Sequence, residues 1–126
     1  MIEKIKETIV DLISILGYEI SDNGSCQEGF PYLQIRTSNC TEAYSQDINF
    51  QTIDFIVDVF SAYNGEKEIL KIKSDITVPI LQECNTMPEV VFSELRMCKI
   101  LDDKTTGPVR KHGVLVYRFR VVKQEV

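Results

Sequence analysis

The clearest pattern in the chain is a strict alternation in residues 53–60, in which every odd-numbered position is apolar. This period of two predicts a β-strand with one fully apolar face, and such a face needs a cover. Asn64-Gly65 then breaks the strand, and Glu66 and Glu68 suit the positive end of a helix dipole. The sequence therefore predicts a strand that turns directly into a covering helix, with the Asn64 side chain as the helix cap.

Two segments carry apolar residues at the spacing of a helix. The first covers residues 2–16, and Gly17 is placed to end it. The second follows residue 66, and because Pro79 cannot continue a straight helix, we expect a kink or an end there. A stripe of this kind can bind a membrane or a partner, but in a chain with a single core it usually faces that core. The stripes are Ile5, Ile9, Leu12, Ile13 and Leu16, and Ile69, Ile72, Ile76 and Ile80.

Two hairpins account for the remaining strands. Pro31 opens a short strand, residues 38–46 form a polar hairpin tip, and the returning strand begins near residue 47. Ile48 and Phe50 have the opposite parity to the apolar face that follows, so a bulge is expected near residues 51–52. In the second hairpin, residues 102–112 form the loop. In its first strand, one face carries Val91, Ser93, Leu95 and Met97, and the other face carries Val90, Phe92, Glu94, Arg96 and Cys98. In its last strand, one face carries Leu115, Tyr117, Phe119 and Val121, and the other face carries Val114, Val116, Arg118, Arg120 and Val122.

These elements predict a single α+β domain over residues 1–126, in the order α-β-β-α-β-β. A mainly antiparallel sheet would form one layer of a two-layer sandwich, and both helices would pack on its odd-numbered face. The other face then mixes Asp54, Asp58, Glu94, Arg96, Arg118 and Arg120 with apolar side chains. Opposite charges there can pair across strands. The interleaved apolar residues favour burial against another subunit, although scattered valines on a solvated sheet are the plainer interpretation.

Composition narrows the class of protein. With 44% hydrophobic and 26% charged residues, the balance is that of a globular protein. Charged residues throughout residues 1–16 argue against a signal peptide, and no apolar run approaches the roughly 20 residues of a membrane span. The net charge of -5 disfavours tight binding to nucleic acid. A soluble protein of a reducing cytoplasm is therefore expected, with Arg110, Lys111, Arg118 and Arg120 concentrated near its carboxyl end.

No set of residues predicts catalysis. The four cysteines, Cys26, Cys40, Cys84 and Cys98, include no close-spaced pair, so we expect free thiols and neither a metal site nor a cofactor. Asp54 and Asp58 would lie about 13 Å apart along a strand, too far for a pair of glycosidase carboxylates. His112 has no sequence motif around it and is expected at a hairpin tip. The chain is therefore predicted not to be an enzyme.

The layout as a whole resembles a known family. The segments FPYLQI, IDFIVDVFSAYNGEKEIL, FSELRMCKILDD and HGVLVYRFRV follow one another as in the small tail terminator, or tail completion, proteins of long-tailed phages and prophages. The closest points are the strand that reads hydrophobic-Asp-hydrophobic-Phe-Ser before a Gly-Glu helix start, and the closing Tyr-Arg-Phe strand. The four cysteines are not part of that pattern.

The resemblance implies a virion tail protein, assembled in the cytoplasm of the host bacterium. It would form a homohexameric ring that caps the tail tube, meets the head completion or connector proteins, and lets DNA pass without sequence-specific binding; no membrane is involved. The residues predicted at subunit or partner contacts are Asp54, Asp58, Arg96, Arg110, Lys111, Arg118 and Arg120. The alternative is a small cytoplasmic ligand-binding or regulatory domain, with a pocket between helices and sheet.

Overall fold

The computed structural model describes residues 2–21, 31–37, 50–102 and 111–122. Within them lie two helices and a five-stranded, mostly antiparallel sheet, so the predicted α+β class is confirmed. The elements are α1 (Ile2–Ile15), β1 (Glu19–Ile20), β2 (Tyr32–Thr37), β3 (Phe50–Ser61), α2 (Lys67–Asn85), β4 (Val90–Asp102) and β5 (Lys111–Val122).

Both helices form where the apolar spacing places them, but their ends differ from expectation. Gly17 ends α1 with a positive φ of 90°, and backbone bonds from Gly17 and Tyr18 return to the last turn, as in a Schellman motif. The prediction that the Asn64 side chain caps α2 was wrong, because α2 begins after Glu66 and has no side-chain cap. Helix α2 also continues through Pro79 to Asn85 and does not end there.

The sheet has the strand order β1-β2-β3-β5-β4. Strand β1 was not predicted, since its two residues are too few to show an alternation; it pairs with β2 in parallel. All other neighbouring strands are antiparallel. The carboxyl-terminal strand β5 therefore lies inside the sheet, between β3 and β4, and its side chains reach other molecules only across the sheet faces.

One core fills the space between the helices and the sheet. The odd-numbered side chains of β3 from Ile53 to Ser61 and of β5 from Leu115 to Val121 are fully buried there, together with most of the stripes of both helices. The two helices thus cover the same face of the sheet, as the alternation predicts. The α1 stripe has two exceptions: Leu12 is only partly buried, and Leu16 has 41% of its surface exposed. Against this face Gly113 has no room for a side chain, because a Cβ would lie 2.5 Å from Cγ2 of Ile69.

Bulges lie in a different strand from the one expected. Strand β3 pairs with β5 without interruption from Phe50 to Ser61, so the prediction of a bulge near residues 51–52 was wrong. Strand β4 instead has register shifts between Val90 and Phe92 and between Leu95 and Met97. Each shift reverses the alternation of faces. The predicted faces of β4 were accordingly wrong for Val90, Val91, Met97 and Cys98: Val90 and Cys98 contact the core, whereas Val91 and Met97 are exposed.

Candidate functional site

The sheet face turned away from the helices, called the outer face below, collects most of the residues predicted to be functional. It carries the even-numbered side chains of β2, β3 and β5, because the odd-numbered ones of β3 and β5 fill the core. On β4, the two bulges place five side chains opposite even-numbered residues of β5, and therefore on the outer face: Phe92, Glu94, Met97, Lys99 and Leu101. Charged and apolar residues therefore share one broad surface.

Asp58, in the middle of β3, is the most buried charge on the outer face, with 2% of its surface exposed. Arg36 on β2 donates two hydrogen bonds to it, from Nε to Oδ2 at 2.6 Å and from Nη2 to Oδ1 at 3.1 Å. His112 on β5 lies on the other side, with Nε2 2.8 Å from Oδ1. Three adjacent strands thus supply one carboxylate and its two partners.

Two opposing effects set the protonation of Asp58. Burial alone would raise the pKa of its carboxyl group, but the hydrogen bonds from His112 and Arg36, with the positive charge of Arg36, lower it below the ordinary value. The Asp58 carboxylate is therefore ionised at neutral pH. Its bond to Arg36 in turn raises the pKa of that guanidinium group.

Three rings form a stack beside this carboxylate. Tyr32 and Phe60 lie with centroids 4.7 Å apart, and Phe60 and His112 with centroids 4.5 Å apart. Both contacts are nearly parallel, at 19° and 14°. Because Phe60 holds the imidazole ring flat while Asp58 binds its Nε2, the orientation of His112 is fixed from two sides.

A second ion pair lies farther along β3. Arg118 on β5 donates to both oxygens of Asp54, from Nε at 2.8 Å and from Nη2 at 2.9 Å. This two-point geometry is the strongest that an arginine and a carboxylate adopt, and it raises the pKa of Arg118. The next arginine, Arg120, lies over the ring of Phe50, 4.8 Å from its centroid.

The predicted contact residues are thus mostly engaged within the chain. Asp54 and Arg118 bind each other, Asp58 binds Arg36 and His112, and Lys111 binds Asp102. Arg120 contacts Phe50. Arg96 lies exposed in a bulge of β4, and Arg110 lies outside the described residues. The prediction that opposite charges pair across strands is confirmed for Asp54 with Arg118.

Apolar side chains remain open to solvent around these pairs. The exposed fraction is 50% for Phe92, 45% for Met97, 38% for Leu101 and 38% for Val122. Three of the four lie on β4, so they follow the edge of the sheet. An exposed apolar group beside neutralised charges is typical of a protein contact surface.

His112 and Cys84 have surroundings that differ from those of a catalytic base and nucleophile. His112 contacts Asp58 and Phe60, and in the described part of the chain no serine or cysteine bonds to it as a nucleophile would. Burial raises the pKa of the Cys84 thiol to about 11, which keeps it unreactive. Among the same residues no group of histidine, cysteine and carboxylate side chains could hold a metal ion.

A groove lies at the opposite edge of the sheet, beside β2. Its volume is about 390 Å³, and it is lined by α1, β1 and β2, with Lys6 and Gln34 among its polar side chains. By contrast, the layer between the helices and the sheet is filled with fully buried side chains. The groove is thus peripheral to the core. Within the described residues, no helix is long and apolar enough to span a membrane.

Sequence reasoning missed two partners of Asp58. Arg36 has the same outer parity as the predicted contact residues, but only the antiparallel register of β2 with β3 brings it beside Asp58. His112 was expected at a hairpin tip, whereas it is the second residue of β5 and lies opposite Phe60. The sequence did contain a signal for His112. If the alternation of β5 is extended two residues back from Val114, His112 falls within the strand and on the outer face.

No protein-family model matches the chain, and no curated protein matches it significantly. The resemblance to tail terminator proteins therefore rests on the sequence layout described above.

Proposed function

We propose that this chain is a structural protein of a phage or prophage tail, which forms a homohexameric ring that caps the tail tube and contributes to the head-tail junction. The order of its segments supports this, together with an α+β fold that matches the expected layout. The observation that carries the proposal is the outer face, where exposed apolar side chains along β4 and β5 lie beside charges that are already paired.

The paired charges change how such a ring would be held. A ring needs a heterologous interface, in which one patch meets a different patch of the next subunit. Arg118 and Lys111 already have carboxylate partners in their own chain, so free charge on the last strand supplies little of the attraction. Burial of exposed apolar groups, such as Val122, would supply more.

The partners proposed for the ring are the tail tube protein on one side and a head completion or connector protein on the other. DNA would pass through the hole without sequence-specific contacts. A net charge of -5 supports this, because an acidic wall does not retain the phosphate backbone. The protein would be located in the virion tail after assembly in the cytoplasm of the host bacterium.

Native mass spectrometry and negative-stain electron microscopy, with and without assembled tail tubes, test the ring. The expected result is a particle of six 14.4 kDa chains at the end of the tube. Val122→Glu places a charge on the outer face and should prevent that particle. The matched control is Val78→Glu on α2, whose valine is 56% exposed but lies on a helix. Tubes that bind no copy of the wild-type chain would contradict the proposal.

The groove beside β2 favours a second candidate, a cytoplasmic ligand-binding or regulatory domain. Its mixture of Lys6, Gln34 and apolar walls suits a small anionic molecule. A thermal-shift screen of such molecules tests this function, with Lys6→Ala as the variant that should remove any shift and Lys4→Ala as its control on the same helix. A chain that no compound stabilises would leave this candidate without support.

A further inference from the structure

Strand β4 is an edge strand that is long enough to add a partner. It has 13 residues, and in the described part of the chain only β5 pairs with it, so one side of its backbone has no strand beside it. Edge strands are commonly blunted by bulges and charges because they otherwise pair with other chains. Strand β4 contains both bulges and charged residues, so their positions decide which strand can pair with this edge.

The bulge at Arg96 divides β4 into two halves that complement each other. Before it, Phe92 and Glu94 lie on the outer face; after it, Lys99 and Leu101 do. Without the bulge, Phe92 and Leu101 would lie on opposite faces, because their numbers differ in parity. With it, an antiparallel copy of the strand centred on the bulge places residues 92–95 opposite residues 98–101 of the other copy, with each pair on the same face.

Three of the four pairs that flank the bulge in that register are favourable. On the outer face Phe92 meets the other copy's Leu101, and Glu94 meets its Lys99. The same pairs recur by symmetry on the other side of the centre. On the helix face, where Leu95, Cys98 and Ile100 pack against the core, the pairs are Leu95 with Cys98 and Ser93 with Ile100. Cross-strand apolar and opposite-charge pairs of this kind stabilise antiparallel sheets.

We propose that two copies of the chain pair through β4 about a two-fold axis at the Arg96 bulge, which joins their sheets into one. The partner is a second copy and not an unrelated strand, because charge and face both match only when the strand meets itself in this register. The contact is isologous and closes on two copies. It is therefore separate from the proposed ring, which requires heterologous contacts.

Two charge reversals test the pairing, with mass and dissociation constant measured by sedimentation. Wild type should be a dimer of the 14.4 kDa chain. Glu94→Lys and Lys99→Glu each place two like-charge pairs in the contact, so each should weaken dimerisation about tenfold or more. A mixture of the two single variants, however, should form heterodimers, since all four charges then find opposites. The double variant should regain the wild-type constant.

A matched control is Lys67→Glu, which makes the same charge change at the exposed start of α2 and should leave the dimer intact. Circular dichroism on each variant checks that it is folded. Heterodimers in the mixture are a second check, because an unfolded variant could not form them. A monomeric wild type, or single variants with the wild-type mass, would overturn the pairing. The ring proposed above uses other contacts, so it should still form at the tube end in both single variants. Loss of the dimer in these variants with the ring retained supports the pairing, whereas a wild type that forms the ring but no dimer overturns the pairing alone.

Discussion

Asp58 shows how one residue on the outer face is held by its neighbours. Its carboxylate has 2% of its surface exposed and receives hydrogen bonds from Arg36 and His112. Removing one member of a buried charged pair leaves the other without compensation, which costs more than the pair itself contributes. The stability of this part of the sheet therefore depends on the carboxylate more than on either partner.

Replacing Asp58 by asparagine should lower the free energy of unfolding by about 2–4 kcal/mol, because the amide nitrogen faces donors and the negative charge is lost. The matched control is Asp54→Asn, because the Asp54 side chain is 17% exposed against 3% for Asp58, and its replacement should cost about 1 kcal/mol. Urea denaturation of both variants measures the difference. Equal losses would contradict the special role of Asp58.

The same carboxylate predicts how stability varies with pH. Because the pKa of Asp58 is lowered in the folded protein, the unfolded chain takes up the proton first as the pH falls. Its contribution is therefore complete above about pH 4, the ordinary value for aspartate, and is lost as the pH falls through the lowered pKa. Urea midpoints from pH 7 to pH 2 should show a fall below pH 4 that is shallower in Asp58→Asn. Parallel curves would count against this assignment.

At the scale of elements, Gly113 of β5 lies directly against Ile69 of α2. A Cβ there would lie 2.5 Å from Cγ2 of Ile69, and Ile69 is fully buried, so neither side can move freely. Gly113→Ala should therefore lower the free energy of unfolding by about 1–3 kcal/mol through overpacking. Gly65→Ala is the control, because nothing lies within 4 Å of its Cβ position.

A double variant identifies the contact responsible. Ile69→Ala alone creates a cavity and is destabilising, but together with Gly113→Ala it removes the clash. The loss in the double variant should be smaller than the sum of the two single losses, as measured by thermal or urea unfolding. An additive result would mean that Gly113 is required for another reason.

The periodic elements were predictable from sequence, and the interruptions were not. The stripes of α1 and α2 and the alternation in β3 and β5 record burial directly, so they gave the fold class and the face that the helices cover. Strand β1 is too short for any period, and the bulges of β4 leave no mark in a sequence where both faces carry apolar residues. Contacts such as Arg36 with Asp58 depend on register between strands, which a local pattern does not contain.

At the scale of the whole molecule, ion pairs within the chain decide how its charge acts on a partner. The chain carries a net charge of -5, and two arginines of the outer face, Arg36 and Arg118, are bound at short range by Asp58 and Asp54. A phosphate group that approached Arg36 or Arg118 would have to displace a carboxylate first. An acidic protein in which these two arginines are occupied should therefore retain DNA poorly.

Fluorescence anisotropy with labelled duplex DNA measures this property directly. In 150 mM salt the chain should bind more weakly than about 10⁻⁴ M, the weak end of ordinary nonspecific binding. Asp54→Asn frees Arg118 and removes one negative charge, so any affinity that appears in low salt should be higher in this variant and should fall steeply as salt is added. Micromolar binding by the wild type in 150 mM salt would mean that the arginines leave their carboxylates for phosphate, and a passive channel for DNA would then be the wrong description of this surface.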